Sequence, residues 1–244
     1  MAKQSSRASS APRHSWRENA REFLIVVAGV FVALVAQQAV EAWDWHRKVD
    51  ASETAMRSEL LSDDGPQIYQ RLAMHPCVVA QLQQIRAAVV DGRSRHDIGA
   101  LVDGYWIDVR GYDRLALDAA NTSDVASHMP EEVLENYFTV YQAMPLYGEA
   151  NKDEGVWLAR LRAFRRSGGS VSDEEKDRLL QTVEQLRNDD HLFWRLGKGA
   201  IPRLRGMGQL DPTQVHTLMA QAHAHYGDCI KPLPASFPKG APAE

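Results

Sequence analysis

The longest apolar stretch of the chain lies close to its N-terminus. Residues 23–36 (FLIVVAGVFVALVA) include no polar side chain, and the mainly apolar segment reaches 21 residues when it is counted on to Trp43. About 20 predominantly apolar residues are needed to cross the hydrocarbon core of a bilayer. Trp16 precedes the segment and Trp45 follows it, as in the aromatic belts at membrane interfaces. We therefore predict a transmembrane anchor helix over residues 16–45.

Beyond the anchor, apolar residues recur every three or four positions, which indicates amphipathic helices. The residues Asp-Asp-Gly-Pro at 63–66 predict a helix break, and a second helix is expected from 66 to 90, kinked or interrupted at Pro76. Residues 95–129 are harder to interpret and suggest two short helices, near 112–120 and 122–128.

Three longer helices follow from capping signals. The first of these helices begins at Pro130, has acidic residues in its first turn and is expected to kink at Pro145. Ser172 and the glutamate three residues later, Glu175, form a capping box that opens the next helix. Asp211 followed by proline predicts a last helix over 212–226.

These patterns predict an all-α protein, with one N-terminal transmembrane helix continuing into a bundle of about four to six helices on the periplasmic side. The expected divisions are a disordered cytoplasmic tail over 1–15, the anchor over 16–45, a helical periplasmic domain over 46–230 and a disordered, proline-rich tail over 231–244.

The charge pattern predicts the orientation of the anchor. Residues 1–22 carry five basic and two acidic side chains, although the net charge of the whole chain is −4. Basic residues favour the cytoplasmic side, which places the N-terminus inside and the main domain outside. A buried core helix and a signal peptide cleaved after Ala36 are the two alternatives. The small negative net charge argues against nucleic acid as a partner.

Small residues share one face of the predicted anchor. Gly29, Ala33 and Ala36 lie on this face with Gln37 beside them. Small side chains let membrane helices approach closely, and an amide can hydrogen-bond across the contact. Beside the lipid bilayer itself, this face predicts a partner, either a second copy of the chain or another membrane protein. The alternative is that small residues are simply common in membrane helices.

The two cysteines, Cys77 and Cys229, both follow the anchor. Outside the cytoplasm an even pair is often bonded, so a disulfide that closes a loop of about 150 residues is expected. Two unpaired thiols remain the alternative.

The sequence contains no recognisable constellation for catalysis, cofactor binding or metal binding. His216, His223 and His225 lie near Asp228 and Cys229, but their spacing is not that of ligands sharing a helix face, and the polar face of a terminal helix explains them better. The adjacent carboxylates 63–64, 131–132 and 189–190 are interpreted as helix caps and solvated faces. A basic run (Arg160, Arg162, Arg165, Arg166) fits either a helix end or a patch for an anionic lipid or ligand.

Two segments resemble a known family. Residues 17–34, followed by Ala42-Trp43 and a charged helix ending at Leu60, resemble the start of a family of uncharacterised single-pass inner-membrane proteins of Gram-negative bacteria. Residues 112–141 (YDRLALDAANTSDVASHMPEEVLENYFTVY) resemble its central segment. The resemblance covers about 70 residues. It implies an inner-membrane location and a helical periplasmic domain, and it implies no activity.

The function expected from this is that of a membrane-anchored, non-enzymatic interaction or accessory protein. A ligand-sensing periplasmic helical bundle is the alternative, although the 22 residues before the apolar stretch leave no room for a cytoplasmic signalling domain. An enzyme of unrecognised type is a third hypothesis.

Overall fold

A computed structural model describes residues 16–166 and 169–234, apart from the side chains of 17–19 and 166. Within those ranges the chain is helical without any strand, so the prediction of an all-α fold is confirmed. The predicted tail 1–15 and most of the predicted tail 231–244 lie outside the described residues. Residues 231–234 form no helix.

The α-helices are α1 (Trp16–Ser58), α2 (Gly65–Val90), α3 (Arg95–Asp103), α4 (Leu115–Thr122), α5 (Glu131–Tyr141), α6 (Met144–Arg166), α7 (Asp173–Met207) and α8 (Pro212–Tyr226). A π-helical turn covers Glu59–Asp64, and 3-10 turns cover Val125–His128 and Gly227–Cys229. Contacts divide the chain into two compact units, residues 1–48 and 49–244, and each is described by itself.

In the first unit, the described residues are the helical stretch from Trp16 to Lys48. This stretch contains the apolar segment identified in the sequence. The best 18-residue window has a mean hydropathy of 2.4, and none of it is buried against another part of the described chain. By length and composition alone, this helix can cross a membrane.

The second unit is built around α2 and α7. These two helices pack against each other along much of their lengths, α8 packs on α2, and α6 packs on α7. The short helix α3 packs on α6. The main hydrophobic core lies between these helices and includes Met74, Leu82, Ile85, Leu161, Val183 and Leu186.

The predicted break at residues 63–66 is wrong. The π-helical turn leads directly into α2, and both Asp64 and Gly65 have right-handed helical backbone angles. Pro66 is the second residue of α2, and the helix continues through it directly from the π-helical turn. A side chain at Gly65 would meet the carbonyl oxygen of Leu60 at 2.5 Å and Leu210 Cδ2 at 2.6 Å. The glycine therefore permits close packing and does not end a helix.

The prolines at 76 and 145 have different structural effects. Helix α2 continues through the exposed Pro76, so no interruption occurs there. At Pro145, by contrast, the expected long helix is divided: α5 ends at Tyr141 and α6 begins at Met144, with the proline in its first turn. Proline is tolerated in a first turn because the amide hydrogens there have no helical acceptor.

Two predicted helix starts are confirmed. The Ser172 side chain accepts a hydrogen bond from Glu175 N, and the Glu175 side chain accepts one from Ser172 N, which is a complete capping box. Asp211 accepts hydrogen bonds from the backbone N–H groups of Thr213 and Gln214 at the start of α8. These side chains satisfy amide groups that would otherwise lack partners.

Candidate functional site

A disulfide joins Cys77 of α2 to Cys229, just after α8, with the two Cα atoms 5.9 Å apart. Cys77 is buried, whereas Cys229 is exposed. The bond fastens the end of the described helices to the central helix α2. Its position agrees with the sequence-based expectation, and it closes a loop with a sequence separation of 152 residues.

Nearly two turns before Cys77, a charge network is buried where α2, α6 and α7 meet. Arg71 of α2 forms an ion pair with Glu154 of α6, and its Nη2 lies 3.6 Å from Asp190 Oδ1 of α7. All three side chains are almost fully buried, with exposed fractions of 3% or less. The guanidinium also lies over the Phe193 ring, 4.7 Å from its centroid. One guanidinium therefore holds two carboxylates from two different helices in the interior.

His75 connects this interior network to the surface. Its Nδ1 lies 2.6 Å from Asp190 Oδ2, and its side chain is 18% exposed. His75 also stacks on Trp194, with ring centroids 5.3 Å apart, and the His191 ring lies 6.4 Å from the His75 ring. Because Asp190 is a carboxylate acceptor, its partner Nδ1 carries the hydrogen, and a neutral His75 has its lone pair on Nε2.

A second set of hydrogen bonds extends the network into the segment between α3 and α4. Asn151 Oδ1 accepts a hydrogen bond from Arg110 N at 2.5 Å, and Asn151 Nδ2 donates to Asp108 O and Glu154 Oε2 at 3.3 and 3.5 Å. Asn151 is buried. A connecting segment without helical hydrogen bonds is thereby held against the same carboxylate that contacts Arg71.

Several polar atoms around Arg71 have no hydrogen-bond partner among the described protein atoms. These atoms are Arg71 Nε and Nη1 and the hydroxyl oxygens of Tyr105 and Tyr147. An unpaired buried polar group costs about 1–3 kcal/mol. The network therefore joins three helices, but burying its polar atoms also costs folding free energy, as is common for buried ion pairs.

Burial alters the pKa values of these groups. It raises the pKa of the Glu154 carboxyl to about 7, because loss of solvent outweighs the stabilising effect of Arg71, and the negative charge of Asp190 adds to the increase. Burial also acts to lower the pKa of the Arg71 guanidinium, but Glu154 and Asp190 outweigh it and raise that pKa. With both carboxylates ionised and His75 neutral, the network carries one negative charge. One further proton makes it electroneutral.

A surface groove of about 570 Å³ opens where His75 reaches the surface. Residues of α2 and α7 form its lining, and their side chains are His75, Pro76, Val79, Gln83, Arg187, Asn188 and His191. The volume falls within the range of small-molecule sites, about 300–1,000 Å³. The polar part of the lining consists of two imidazoles, a guanidinium and two amides.

A separate buried carboxylate lies at the start of α2. Asp64 is 3% exposed, and its Oδ2 has no hydrogen-bond partner among the described atoms. Burial, reinforced by the nearby carboxylates of Glu59 and Asp113, raises the pKa of Asp64 to about 8. Glu59 itself accepts a hydrogen bond from Ala116 N at 2.9 Å. Asp64 therefore keeps its proton to a higher pH than an ordinary aspartate does.

The adjacent carboxylates were predicted to be helix caps and solvated faces, and this is wrong for two of them. Asp64 and Asp190 are buried, whereas Glu131 and Glu132 are exposed in the first turn of α5 as expected. Asp189 and Asp190 have different surroundings, and only Asp190 contacts His75. The missed signal was the four-residue spacing of Arg71 and His75, which places both on one face of α2.

The histidines near the C-terminus do not form a cluster of metal ligands. His225 stacks on Trp106 with ring centroids 4.3 Å apart, and His223 Nδ1 lies 3.0 Å from the carbonyl oxygen of Gly227. His216 is exposed. Across residues 16–166 and 169–234, no group of three or more histidine, cysteine, aspartate or glutamate side chains is arranged to hold a metal ion.

The basic run at the end of α6 is dispersed among several contacts. Arg160 lies over the Trp157 ring at 4.3 Å, and Arg165 forms an ion pair with Asp103 of α3. The Arg166 side chain lies outside the described residues. These contacts fit the interpretation of the run as a solvated helix end.

The predicted packing face of the anchor is uncovered by the described residues. Ala33, Ala36 and Gln37 are exposed, and a Cβ atom at Gly29 would meet no atom within 4 Å. Whether this face binds a partner stays a prediction. Comparison of the chain with protein-family models, with curated proteins and with solved structures gives no match. The resemblance to inner-membrane proteins therefore also stays a prediction.

Proposed function

We propose that this protein is a membrane-anchored, non-enzymatic interaction or accessory protein whose helical domain lies on the periplasmic side of a bacterial inner membrane. The observation that carries the proposal is the exposure of the apolar segment of α1. Phe23 is 67% exposed and Phe31 is 66% exposed, and the large apolar side chains between them are exposed as well. A continuous apolar surface of this length is stable in a bilayer and unfavourable in water.

The orientation rests on two further observations. Basic residues are in excess before the anchor, which favours a cytoplasmic N-terminus. The disulfide between Cys77 and Cys229 is typical of an oxidising compartment such as the periplasm. Both support a domain outside the cytoplasm.

Reporter fusions test the topology. A C-terminal alkaline phosphatase fusion is expected to be active and a C-terminal green fluorescent protein fusion to be dark, because each reporter works on one side of the membrane only. Carbonate washing is expected to leave the full-length chain in the membrane fraction. A fluorescent C-terminal fusion, release by carbonate or a chain shortened by cleavage near Ala36 would contradict the proposal.

The interaction role is proposed to involve the face formed by Gly29, Ala33, Ala36 and Gln37. Enlarging this face with Ala33→Leu is expected to reduce cross-linking of the full chain in native membranes, since close helix approach requires small side chains. Val35→Leu, on a different side of the helix, is the matched control and is expected to have no effect. Recovery of the uncross-linked chain alone from the unmodified protein would contradict this role.

A ligand-sensing helical bundle is the second candidate function. The connection of His75 to both the groove and the buried Asp190 favours it, because a ligand in the groove would contact a group that is coupled to three helices. A thermal-shift screen of small molecules on the full chain in mild detergent tests it. A ligand that prefers the folded state raises the melting temperature.

A further inference from the structure

The groove between α2 and α7 has an unusual balance of polar groups. Its lining includes the imidazoles of His75 and His191 and the guanidinium of Arg187, together with the amides of Gln83 and Asn188. No carboxylate is among its lining side chains in the described part of the chain. Each of these groups can donate a hydrogen bond, and three of them can carry positive charge. A groove of this composition favours an anion over a cation.

The carboxylate that contacts His75 is unavailable to a ligand. Asp190 is 1% exposed, accepts the hydrogen bond from His75 and also lies beside Arg71. It therefore lies behind the imidazole and orients it. Because Nδ1 is hydrogen-bonded to Asp190, Nε2 is the ring nitrogen that is available to a ligand in the groove. Nε2 has no hydrogen-bond partner among the described residues. On protonation, Nε2 becomes a charged donor at the groove.

Arg187 can supply a second positive charge. Its guanidinium lies 2.9 Å from Glu184 Oε2 in an ion pair between neighbouring turns of α7, with both side chains well exposed. Such exposed pairs contribute about 0–1 kcal/mol, so the guanidinium can turn to a ligand at little cost. Glu184 also has a second partner, Arg86 of α2, at 3.4 Å. Its charge remains compensated when Arg187 binds an anion.

We propose that this groove binds a small oxyanion, carrying a carboxylate or phosphate group, through His75, Arg187 and His191. The inference rests on the ligand-binding candidate function and is independent of the membrane placement. Oxygen atoms of the anion accept hydrogen bonds from Nε2 of a protonated His75 and from Arg187, while Val79 and Pro76 contact the apolar part of the ligand. The groove is large enough for an organic acid or a phosphate ester of several carbon atoms.

The proton on His75 couples anion binding to the interior. The charged and titratable groups around the His75 ring come from three helices and are Arg71 of α2, Glu154 of α6, and Arg187, Asp190, His191 and Lys198 of α7. A bound anion adds negative charge beside Nε2 and therefore favours the protonated form of His75. Anion binding is therefore expected to take up a proton and to weaken as the pH rises.

Calorimetric titration of the full chain in a non-ionic detergent tests the proposal, with inorganic phosphate and succinate as probes at about pH 6. Saturable binding of at least one probe is expected. Arg187→Ala is expected to weaken it about fivefold, the effect of losing one exposed charge-assisted hydrogen bond. Arg178→Ala is the matched control: Arg178 is also an exposed arginine of α7 in an ion pair within that helix, with Glu174, but it does not line the groove. This variant is expected to bind as the unmodified protein does.

Sulfate is the probe for the pH dependence, because its charge is constant near neutrality. Affinity is expected to fall about tenfold between about pH 6 and about pH 8, because a protonated imidazole is a charged donor for the anion and a neutral imidazole is not. His75→Gln keeps an N–H donor for Asp190 but cannot be protonated, so its affinity should fall less over that range than that of the unmodified protein, with His191 responsible for the dependence that remains. Unchanged melting temperatures of the variants establish that they fold.

Three outcomes would overturn the inference: no saturable binding of phosphate, succinate or sulfate, equal binding by the unmodified protein and Arg187→Ala, or the same pH dependence in His75→Gln. If an uncharged compound stabilises the protein and Arg187→Ala leaves that effect intact, the oxyanion inference is wrong while the ligand-sensing function stands. The two failures are therefore distinguishable.

Discussion

Gly197 of α7 lies directly against the side chain of Leu72 of α2. A Cβ atom placed on Gly197 would be 2.8 Å from Leu72 Cδ2 and 2.9 Å from its Cγ, closer than carbon atoms approach without bonding. Leu72 follows Arg71 in the sequence and lies one turn before His75 and Pro76. The absence of a side chain at residue 197 thus sets the spacing of the two helices that form both the charge network and the groove.

Replacing Gly197 with alanine is expected to destabilise the protein by about 1–3 kcal/mol, because Leu72 must leave its rotamer or the helices must separate. Thermal unfolding of the full chain in detergent, followed by circular dichroism, measures the change.

Gly199, two residues further along the same helix, is the matched control. It is exposed, and a Cβ atom there would meet nothing within 4 Å. Gly199→Ala should stabilise the protein by about 0.5–1 kcal/mol, since alanine favours helix more than glycine does. Equal changes in stability for Gly197→Ala and Gly199→Ala would show that the contact of Leu72 with residue 197 does not limit the packing of α2 against α7.

Local signals in the sequence predicted the helix starts well. The caps at Ser172 and Asp211 depend on side chains that bond amides two or three residues away, so their geometry is contained within a short segment. The continuity of the helix at Gly65 and the division between α5 and α6 depend on distant packing instead. Gly65 is required by Leu210, 145 positions later, and no local pattern reveals this contact.

The charge network was missed for the same reason. Arg71, Glu154 and Asp190 come from three helices and are separated by 83 and 36 positions in the chain. In sequence, each resembles an ordinary charged residue on a solvated helix face. Only the packing of α2 against both α6 and α7 brings them together, so the sequence of the acidic pair 189–190 does not show that Asp190 is the more deeply buried member.

Removing the disulfide is expected to destabilise the protein by about 3–5 kcal/mol, because the bond restricts a loop of more than a hundred residues in the unfolded chain. The double variant Cys77→Ala and Cys229→Ala, compared with the unmodified protein in denaturant-induced unfolding, measures the loss. Reducing the unmodified protein should reproduce it, which controls for the smaller side chain at the buried residue 77. Two alkylatable thiols in protein freshly isolated without reductant would contradict the bond.

Arg95 joins the end of α6 to the start of α7. Its guanidinium donates to both carboxylate oxygens of Glu175, at 2.9 and 2.8 Å, and to the carbonyl oxygens of Phe164, Gly169 and Ser170. A lysine keeps the charge but lacks the planar set of donors. Arg95→Lys is therefore expected to lower the free energy of unfolding by about 1–2 kcal/mol. Arg93→Lys, at an exposed position nearby, is the control; a similar loss there would mean that charge alone is responsible.

Asp64 is expected to make stability depend on pH. Burial, reinforced by Glu59 and Asp113, raises the pKa of Asp64 to about 8 in the folded protein, compared with 3.8 for an unperturbed aspartate. The unfolded chain therefore releases this proton at a lower pH than the folded chain does. The contribution of Asp64 to stability is complete below about pH 4 and is lost progressively as the pH rises towards about 8.

Asp64→Asn removes this titration and leaves a neutral side chain of similar shape in the buried position. At about pH 8 the variant is expected to be more stable than the unmodified protein by about 1–3 kcal/mol, and the difference should shrink as the pH falls towards about 4. Melting temperatures measured across this range give the comparison. Asp63→Asn changes the adjacent exposed carboxylate and should alter stability by no more than about 0.5 kcal/mol at any pH. A parallel pH dependence of Asp64→Asn and the unmodified protein would mean that Asp64 is already ionised in the folded state, and the acidic turn at 59–64 would then have to stabilise a buried charge by contacts other than those described.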